Sequence, residues 1–363
     1  MPAEWEPHAA TWLAWPHNAS DWPGKLAAIH WVYGEIVRRL AQGERLRLVV
    51  ASPAVERRAR SVLARVGVDL GQIDWLAWPT NRGWLRDSGP VFVHDLGARG
   101  SPLTICGFGF NAWARYPDWQ ADARLAGRAA RRARLPLLRA RWGQRDFVLE
   151  GGAIDVNGCG SALATEECLL DPQIQVRNPG LDRHGYERLL ATYLGVTHLL
   201  WLGRGIAGDD THGHIDDVCR FVDRRTVVLC REEDPADANY AVLAENHERL
   251  QGLRLEDGSR PQVVALPMPA PLGFAGRRLP ASYANFYVGN AAVLVPTFND
   301  PRDRHALGLL AELFPDRPVV GIHAVDLVWG LGTLHCLTQQ EPLALAAPVA
   351  AAAGRAPGAA DCA

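Results

Sequence analysis

Long apolar runs are missing from this chain of 363 residues, and no stretch approaches the roughly 20 residues that a membrane-crossing helix requires. Charge imbalance is missing too. The formal net charge is only −2, so no global field draws the molecule toward nucleic acid or an anionic membrane surface. The seven cysteines are odd in number and lack CxxC spacing, which argues against a disulfide framework and against a zinc ribbon. The opening segment, Met1-Pro2-Ala3-Glu4-Trp5-Glu6-Pro7-His8, has no basic region leading into an apolar run, and a soluble, cytoplasmic protein is expected. What the chain does have is apolar content of 48%, enough at this length to bury a large core.

The apolar periods alternate between helical and strand-like spacing, which predicts an α/β architecture. A weak internal repeat runs through them, in which a helix and a strand-like run are followed by a polar motif. The segments Ala54 to Val66 and Ile73 to Trp78 lead to Asp87. Those from Ala121 to Ala133 and Leu137 to Trp142 lead to Glu150. Tyr186 to Leu194 and Thr197 to Leu202 lead to His214 and Asp216, and Arg304 to Phe314 and Val319 to His323 lead to Cys336. A fifth, more divergent unit runs from Ala238 to Leu250 through Val263 to Leu266 and on to Ala291 to Pro296. Units repeating around an axis would each bring one motif to a common centre. Residues 1–345 are expected to form one catalytic domain, and the Ala-, Gly- and Pro-rich 346–363 a disordered tail.

Four motifs carry the chemistry. In Gly330-Leu331-Gly332-Thr333-Leu334-His335-Cys336, glycines loosen the backbone beside one cysteine, the setting of a nucleophilic thiol. Cys219 and Cys230 lie in apolar strand-like runs and read as core, and Cys362 lies in the tail. His335 adjoins the nucleophile, but neighbours in an extended strand point to opposite faces, so it is assigned a structural role. Asp87 sits in Trp84-Leu85-Arg86-Asp87-Ser88-Gly89-Pro90, where an ion pair with Arg86 is the ordinary alternative. Glu150 closes the apolar run Phe147-Val148-Leu149 and precedes two glycines; a carboxylate there is costly unless paired or bonded. The stretch Asp209 to Asp217 packs four carboxylates and two imidazoles into nine positions. His212, His214 and Asp216 suit a metal-dependent hydrolase. Alternatively His214 is a general acid/base and Asp216 a partner for a cation, which leaves a use for Cys336. A thiol, an imidazole and several carboxylates suit covalent attack on a guanidinium carbon.

Together with the opening eight residues, Phe110-Asn111-Ala112-Trp113, Thr165-Glu166-Glu167-Cys168-Leu169-Leu170, Ala281-Ser282-Tyr283-Ala284-Asn285-Phe286-Tyr287 and Leu334 to Gln340, these motifs resemble the agmatine deiminase family, also called the bacterial-type peptidylarginine deiminase family. The resemblance runs in order from residue 1 to about residue 342. It implies the pentein fold, an α/β propeller of five pseudo-repeats, and a cofactor-free, metal-free conversion of a guanidino to a ureido group with release of ammonia. Agmatine is the expected substrate, with free, methylated or peptidyl arginine as alternatives. A metal-dependent amidohydrolase and a silent guanidino-binding protein are the rival classes. In the implied mechanism Cys336 attacks, His214 moves protons, Asp87 and Asp216 hold the guanidinium, and Glu150 orients His214 or neutralises the substrate. Trp84 stacks beside the substrate and Asp210 meets its far amine. Two departures from the family pattern stand near the tail site: Arg82-Gly83 where Asp-Ser is usual, and Asp210-Thr211-His212 where Asp-Thr-Asn is usual. An exposed Arg82 at the mouth would favour a carboxylate tail over an ammonium. The expected partner is a small guanidino molecule, with no nucleic acid and no membrane, and a homo-oligomer is compatible with the sequence.

Overall fold

The computed structural model describes residues 1–98 and 103–345, so the tail expected from residue 346 onward lies outside the described residues. Five sheets of three or four strands follow one another along the chain, and each repeats one local order. A central strand pairs antiparallel with one neighbour, leaves into a helix, and the next strand returns parallel to it. In the second sheet Leu103–Gly107 is central, antiparallel to Val91–His94 and parallel to Leu137–Arg139, with the helix Leu125–Ala133 between them. The third is centred on Ser161–Thr165, the fourth on Thr226–Arg231 and the fifth on Val293–Thr297. The first is centred on His8–Ala14, which pairs antiparallel with the last strand, Thr338–Pro342, and so joins the two ends of the described chain. It has a fourth strand, Ile73–Ala77, and two helices, Leu26–Leu40 and Pro53–Arg65. Among the described residues no sheet closes on itself.

Local chemistry explains the boundaries. Ser52 caps the Pro53–Arg65 helix by accepting from Val55 N, with proline in its first turn where no amide donor is needed. Asp182 does the same for Arg183–Leu194 through Gly185 N, and Gly195 ends that helix in the left-handed region. The expected helices and strands lie within a few residues of the observed ones, and the fifth unit is present as Asn239–Gly252, Gln262–Pro267 and Val293–Thr297. The helix Leu26–Leu40 and three of the four strands of the first sheet, His8–Ala14, Arg45–Val50 and Thr338–Pro342, were not among the expected elements. The sequence reading also extended one strand through Trp142, whereas the chain bends after Arg139 into a separate ribbon, Arg141–Trp142 with Arg145–Asp146.

The consequence for function lies in the junctions between sheets. Asp87 is in the one-turn helix Leu85–Ser88, and Glu150 and His214 precede the turns Gly151–Ala153 and Ile215–Asp217. Asn285 precedes the strand Tyr287–Val288, and Cys336 is in the one-turn helix Leu334–Leu337. The Leu85–Ser88 turn packs against both the Leu334–Leu337 turn and Gly151–Ala153, which packs in turn on Ile215–Asp217. Five junctions thus converge on one buried locus.

Candidate active site

Behind the convergence lies a buried charge network that anchors it. Glu4 Oε2 accepts from Arg86 Nη2 at 2.8 Å and lies 2.9 Å from His335 Nε2, while its Oε1 accepts from Arg220 Nη2 at 3.0 Å. Arg220 also pairs with Asp155 at 2.8 Å. Arg86 therefore points away from Asp87, and the alternative of an ion pair between these neighbours does not hold. His335 Nδ1 meets Asp216 Oδ2 at 2.6 Å. The expectation that an extended backbone turns His335 away from the site is corrected: residues 334–337 form a helical turn, and His335 orients a site carboxylate from behind.

At the centre stands His214, which is buried. Its Nδ1 lies 3.9 Å from Asp87 Oδ1 and from Asp216 Oδ1, and its Nε2 lies 3.8 Å from Glu150 Oε2. These spans are too long for direct hydrogen bonds. Both His214 nitrogens, Glu150 Oε2 and Asp216 Oδ1 are buried without a hydrogen-bond partner. Burial opposes charge on this imidazole, but Asp87, then the Cys168 sulfur and Glu150, outweigh it and hold the His214 pKa well above its ordinary value. Asp87 is fixed by two donors, Trp113 Nε1 at 2.8 Å and Gly152 N at 2.9 Å. Burial first, then the charges of Asp216 and Glu150, raise its pKa to about 6. Glu150 accepts from Arg177 Nε at 3.2 Å, and despite burial this guanidinium and His214 hold Glu150 down to about 2.

Cys336 Sγ is 3.1 Å from Asn285 Nδ2 and 3.7 Å from Asp216 Oδ2. Burial, followed by Asp216, Asp217 and Asp87, pushes the thiol pKa well above its ordinary value. Asn285, contributed by the fifth junction, also accepts from Thr333 Oγ1 at 2.8 Å and from the backbone N–H groups of His335 at 3.1 Å and Cys336 at 3.4 Å. It thus holds the whole cysteine turn. Asp217 accepts from Asn285 Nδ2 at 3.0 Å, and burial beside Asp216 raises its pKa well above the carboxylate range. Gly152 has a distinct role: a Cβ there would stand 2.5 Å from His214 Nδ1 and 2.9 Å from Asp87 Oδ1.

A cavity of about 190 Å3 leads to this centre, lined by Cys336, Asp87, Trp84, Trp113 and Asp210 among others. Trp84 packs on Trp22 with ring centroids 5.1 Å apart. Asp210 accepts from Tyr116 Oη at 2.5 Å and faces Arg115 at 3.2 Å and Arg277 at 3.9 Å. The expectation of an exposed Arg82 at the mouth is corrected. Arg82 is buried, bonded to Asp21, 2.9 Å from Asp118, and stacked over Tyr116 at 4.4 Å. His212 does not join His214: it turns to Asp171 at 2.9 Å, which separates the two members of the proposed metal pair. Among the described residues, one trio of donor atoms, those of Glu150, Cys168 and His214, clusters within 4.8 Å. The Arg177 cation already on Glu150 makes that trio a poor metal cage.

The sequence reading left Asn285, Trp113, Arg177 and Asp217 without roles. Asn285 and Trp113 lay in quoted motifs, and Asp217 lay in the dense acidic stretch. Arg177 carried no local signal.

Residues 1–342 match the model of the Porphyromonas-type peptidyl-arginine deiminases. The chain belongs to this family. The agmatine deiminase of Pseudomonas aeruginosa (strain LESB58) is 34% identical over 365 residues that cover 94% of this chain and 95% of that protein. Agmatine deiminase of Enterococcus faecalis superposes with a TM-score of 0.86 at 31% identity, covering 95% of this chain and 96% of that one. SxtG, an amidinotransferase from Microseira wollei, is similar in fold alone, with 10% identity and a TM-score of 0.50 over 96% of this chain and 98% of that one. The fold of this family member is the mixed α/β pentein fold.

Proposed function

We propose that this protein hydrolyses the guanidino group of agmatine to a ureido group, giving N-carbamoylputrescine and ammonia. The observation that carries the reading is the ring of unpartnered buried atoms around His214, set beside a thiol whose ionisation is opposed by three carboxylates. A planar cation with N–H donors on its edges suits the unpartnered carboxylate oxygens and brings the charge the thiol needs. Asp87 and Asp216 receive its N–H groups as charge-assisted bonds, and its positive charge offsets the carboxylates that keep Cys336 protonated. Binding of the substrate therefore makes the nucleophile, with the thiol proton released to solvent.

The thiolate attacks the guanidinium carbon and forms a C–S bond. Protonated His214 gives its proton to one nitrogen, which leaves as ammonia, and an S-alkylthiouronium remains. Neutral His214 then takes a proton from water as the oxygen adds to the same carbon. Collapse of the second tetrahedral species breaks the C–S bond, releasing the ureido product and Cys336. Glu150, held by Arg177, keeps the His214 ring in place, and Trp84 supplies an apolar wall. Each step uses side chains of this chain. The five sheets act as blades around this centre, within a single catalytic unit over residues 1–345. No helix among the described residues is long and apolar enough to cross a membrane.

The charge of Arg82 is matched by Asp21 and Asp118, which leaves it unsuited to capturing a carboxylate tail. Incubation with agmatine should release ammonia and the ureido product in equal amounts, and dialysis against a strong chelator should leave the rate unchanged. Loss of turnover on chelation with recovery on adding zinc would replace the thiol mechanism with a metal-dependent one.

A further inference from the structure

The same cavity contains a third carboxylate, outside every motif of the sequence analysis. Asp21 lines it together with Cys336 and Asp87. Its side chain is only 4% accessible. One oxygen is bonded to Arg82, and the other, Oδ2, is buried with no hydrogen-bond partner. The loop that carries it is held firmly: Trp22 Nε1 donates to Leu327 O at 2.8 Å, and the Trp22 indole fills the space a side chain at Gly330 would take. Charge differs between the two walls. On one, Asp21, with Asp118 behind the lining, faces the single guanidinium of Arg82; on the other, Asp210 faces Arg277 and, behind the lining, Arg115, and is bonded to Tyr116. The Asp21 wall is thus in carboxylate excess, whereas the Asp210 wall is in guanidinium excess.

We propose that Asp21, not Asp210, binds the far end of the substrate, and that the group it receives is a primary ammonium. The inference rests on the deiminase reading above and assigns the residue that sets its tail preference. A buried carboxylate oxygen left without a donor is costly, and an ammonium brings three donors and the opposite charge to it. Asp210 already accepts from Tyr116 on Oδ2 and has Arg115 and Arg277 beside Oδ1, and these two arginines repel a cation.

The test uses the full chain with two substrates, agmatine and n-butylguanidine, which shares the guanidino group and four-carbon chain and lacks the amine. Wild type should prefer agmatine in kcat/KM. Asp21→Asn should raise the KM for agmatine at least tenfold, with kcat and the n-butylguanidine constants changed less than threefold. Asp210→Asn should leave the preference in place. Because Asp21→Asn also frees Arg82, the double variant with Arg82→Ala is included: the loss of preference should persist in it, while Arg82→Ala alone keeps the preference. Retained preference in Asp21→Asn, its return in the double variant, or a wild type indifferent to the amine would each overturn the assignment to Asp21. Turnover of neither guanidine by wild type would overturn the deiminase reading and this inference with it.

Discussion

Gly152→Ala is the smallest change that should disable the site. The Gly152 backbone lies outside the left-handed region, so alanine is conformationally acceptable there, and the effect must come from the added methyl group. That carbon would stand 2.5 Å from His214 Nδ1, 2.9 Å from Asp87 Oδ1 and 3.1 Å from Asp216 Oδ2. Moving the imidazole from 2.5 Å to the 3.4 Å of ordinary contact displaces it by about 0.9 Å. A misplacement of about 1 Å costs on the order of 10²-fold in rate, or ~2.7 kcal/mol of barrier. Overpacking a dense site adds about 1–3 kcal/mol of destabilisation. Steady-state ammonia release should therefore show kcat/KM down at least a hundredfold, with the protein still folded by circular dichroism. Gly308→Ala is the control. It lies in the helix Arg302–Leu313 with nothing within 4 Å of the new carbon, and should stabilise by about 0.5–1 kcal/mol with unchanged kinetics. Activity of Gly152→Ala within threefold of wild type would refute the idea that His214, Asp87 and Asp216 share one catalytic space.

Asn285→Ala removes the donor to Cys336 Sγ and the acceptor that holds its turn; kcat should fall by about 10²–10³-fold, and a change confined to KM would contradict this role. The acidic limb of kcat/KM should fall near pH 6, because Asp87, raised to about 6, must be ionised to receive a guanidinium; a limb near pH 4 would show that Asp87 is not the binding carboxylate. Glu150 is depressed from 4.5 to about 2, so its contribution is fully present above pH 4.5 and is lost as pH falls toward 2. At 1.36 kcal/mol per unit this is about 3 kcal/mol. Urea unfolding curves of wild type and Glu150→Gln should converge over that window, and parallel pH dependence would contradict the paired, ionised Glu150.

Much of the fold was legible because each sheet repeats a helix and a parallel strand whose apolar periods are local properties of the chain. Ile73–Ala77 of the first sheet was legible in the same way, but the pairing of His8–Ala14 was harder to read, because its antiparallel partner Thr338–Pro342 comes from the far end of the sequence. The motif residues of the site were legible as costly polar groups at strand ends, but their partners were not. Nothing near Arg82 in sequence reveals Asp21, Asp118 and Tyr116, which together convert an apparently exposed cation into a buried, matched one. His335 was misread because one turn of helix replaced the assumed strand, which brought adjacent side chains to related surfaces. Asn285 was hidden in the divergent fifth repeat, whose junction delivers an amide where the others deliver a carboxylate, imidazole or thiol.

The most direct measurement of the central claim is acid quenching during agmatine turnover, followed by peptide mass spectrometry of every cysteine. The account predicts an amidino adduct that retains the substrate's tail, on Cys336 alone, and its absence in Cys336→Ser, which should bind agmatine without turning it over. An adduct on another cysteine, or ammonia release undiminished in Cys336→Ser, would contradict it.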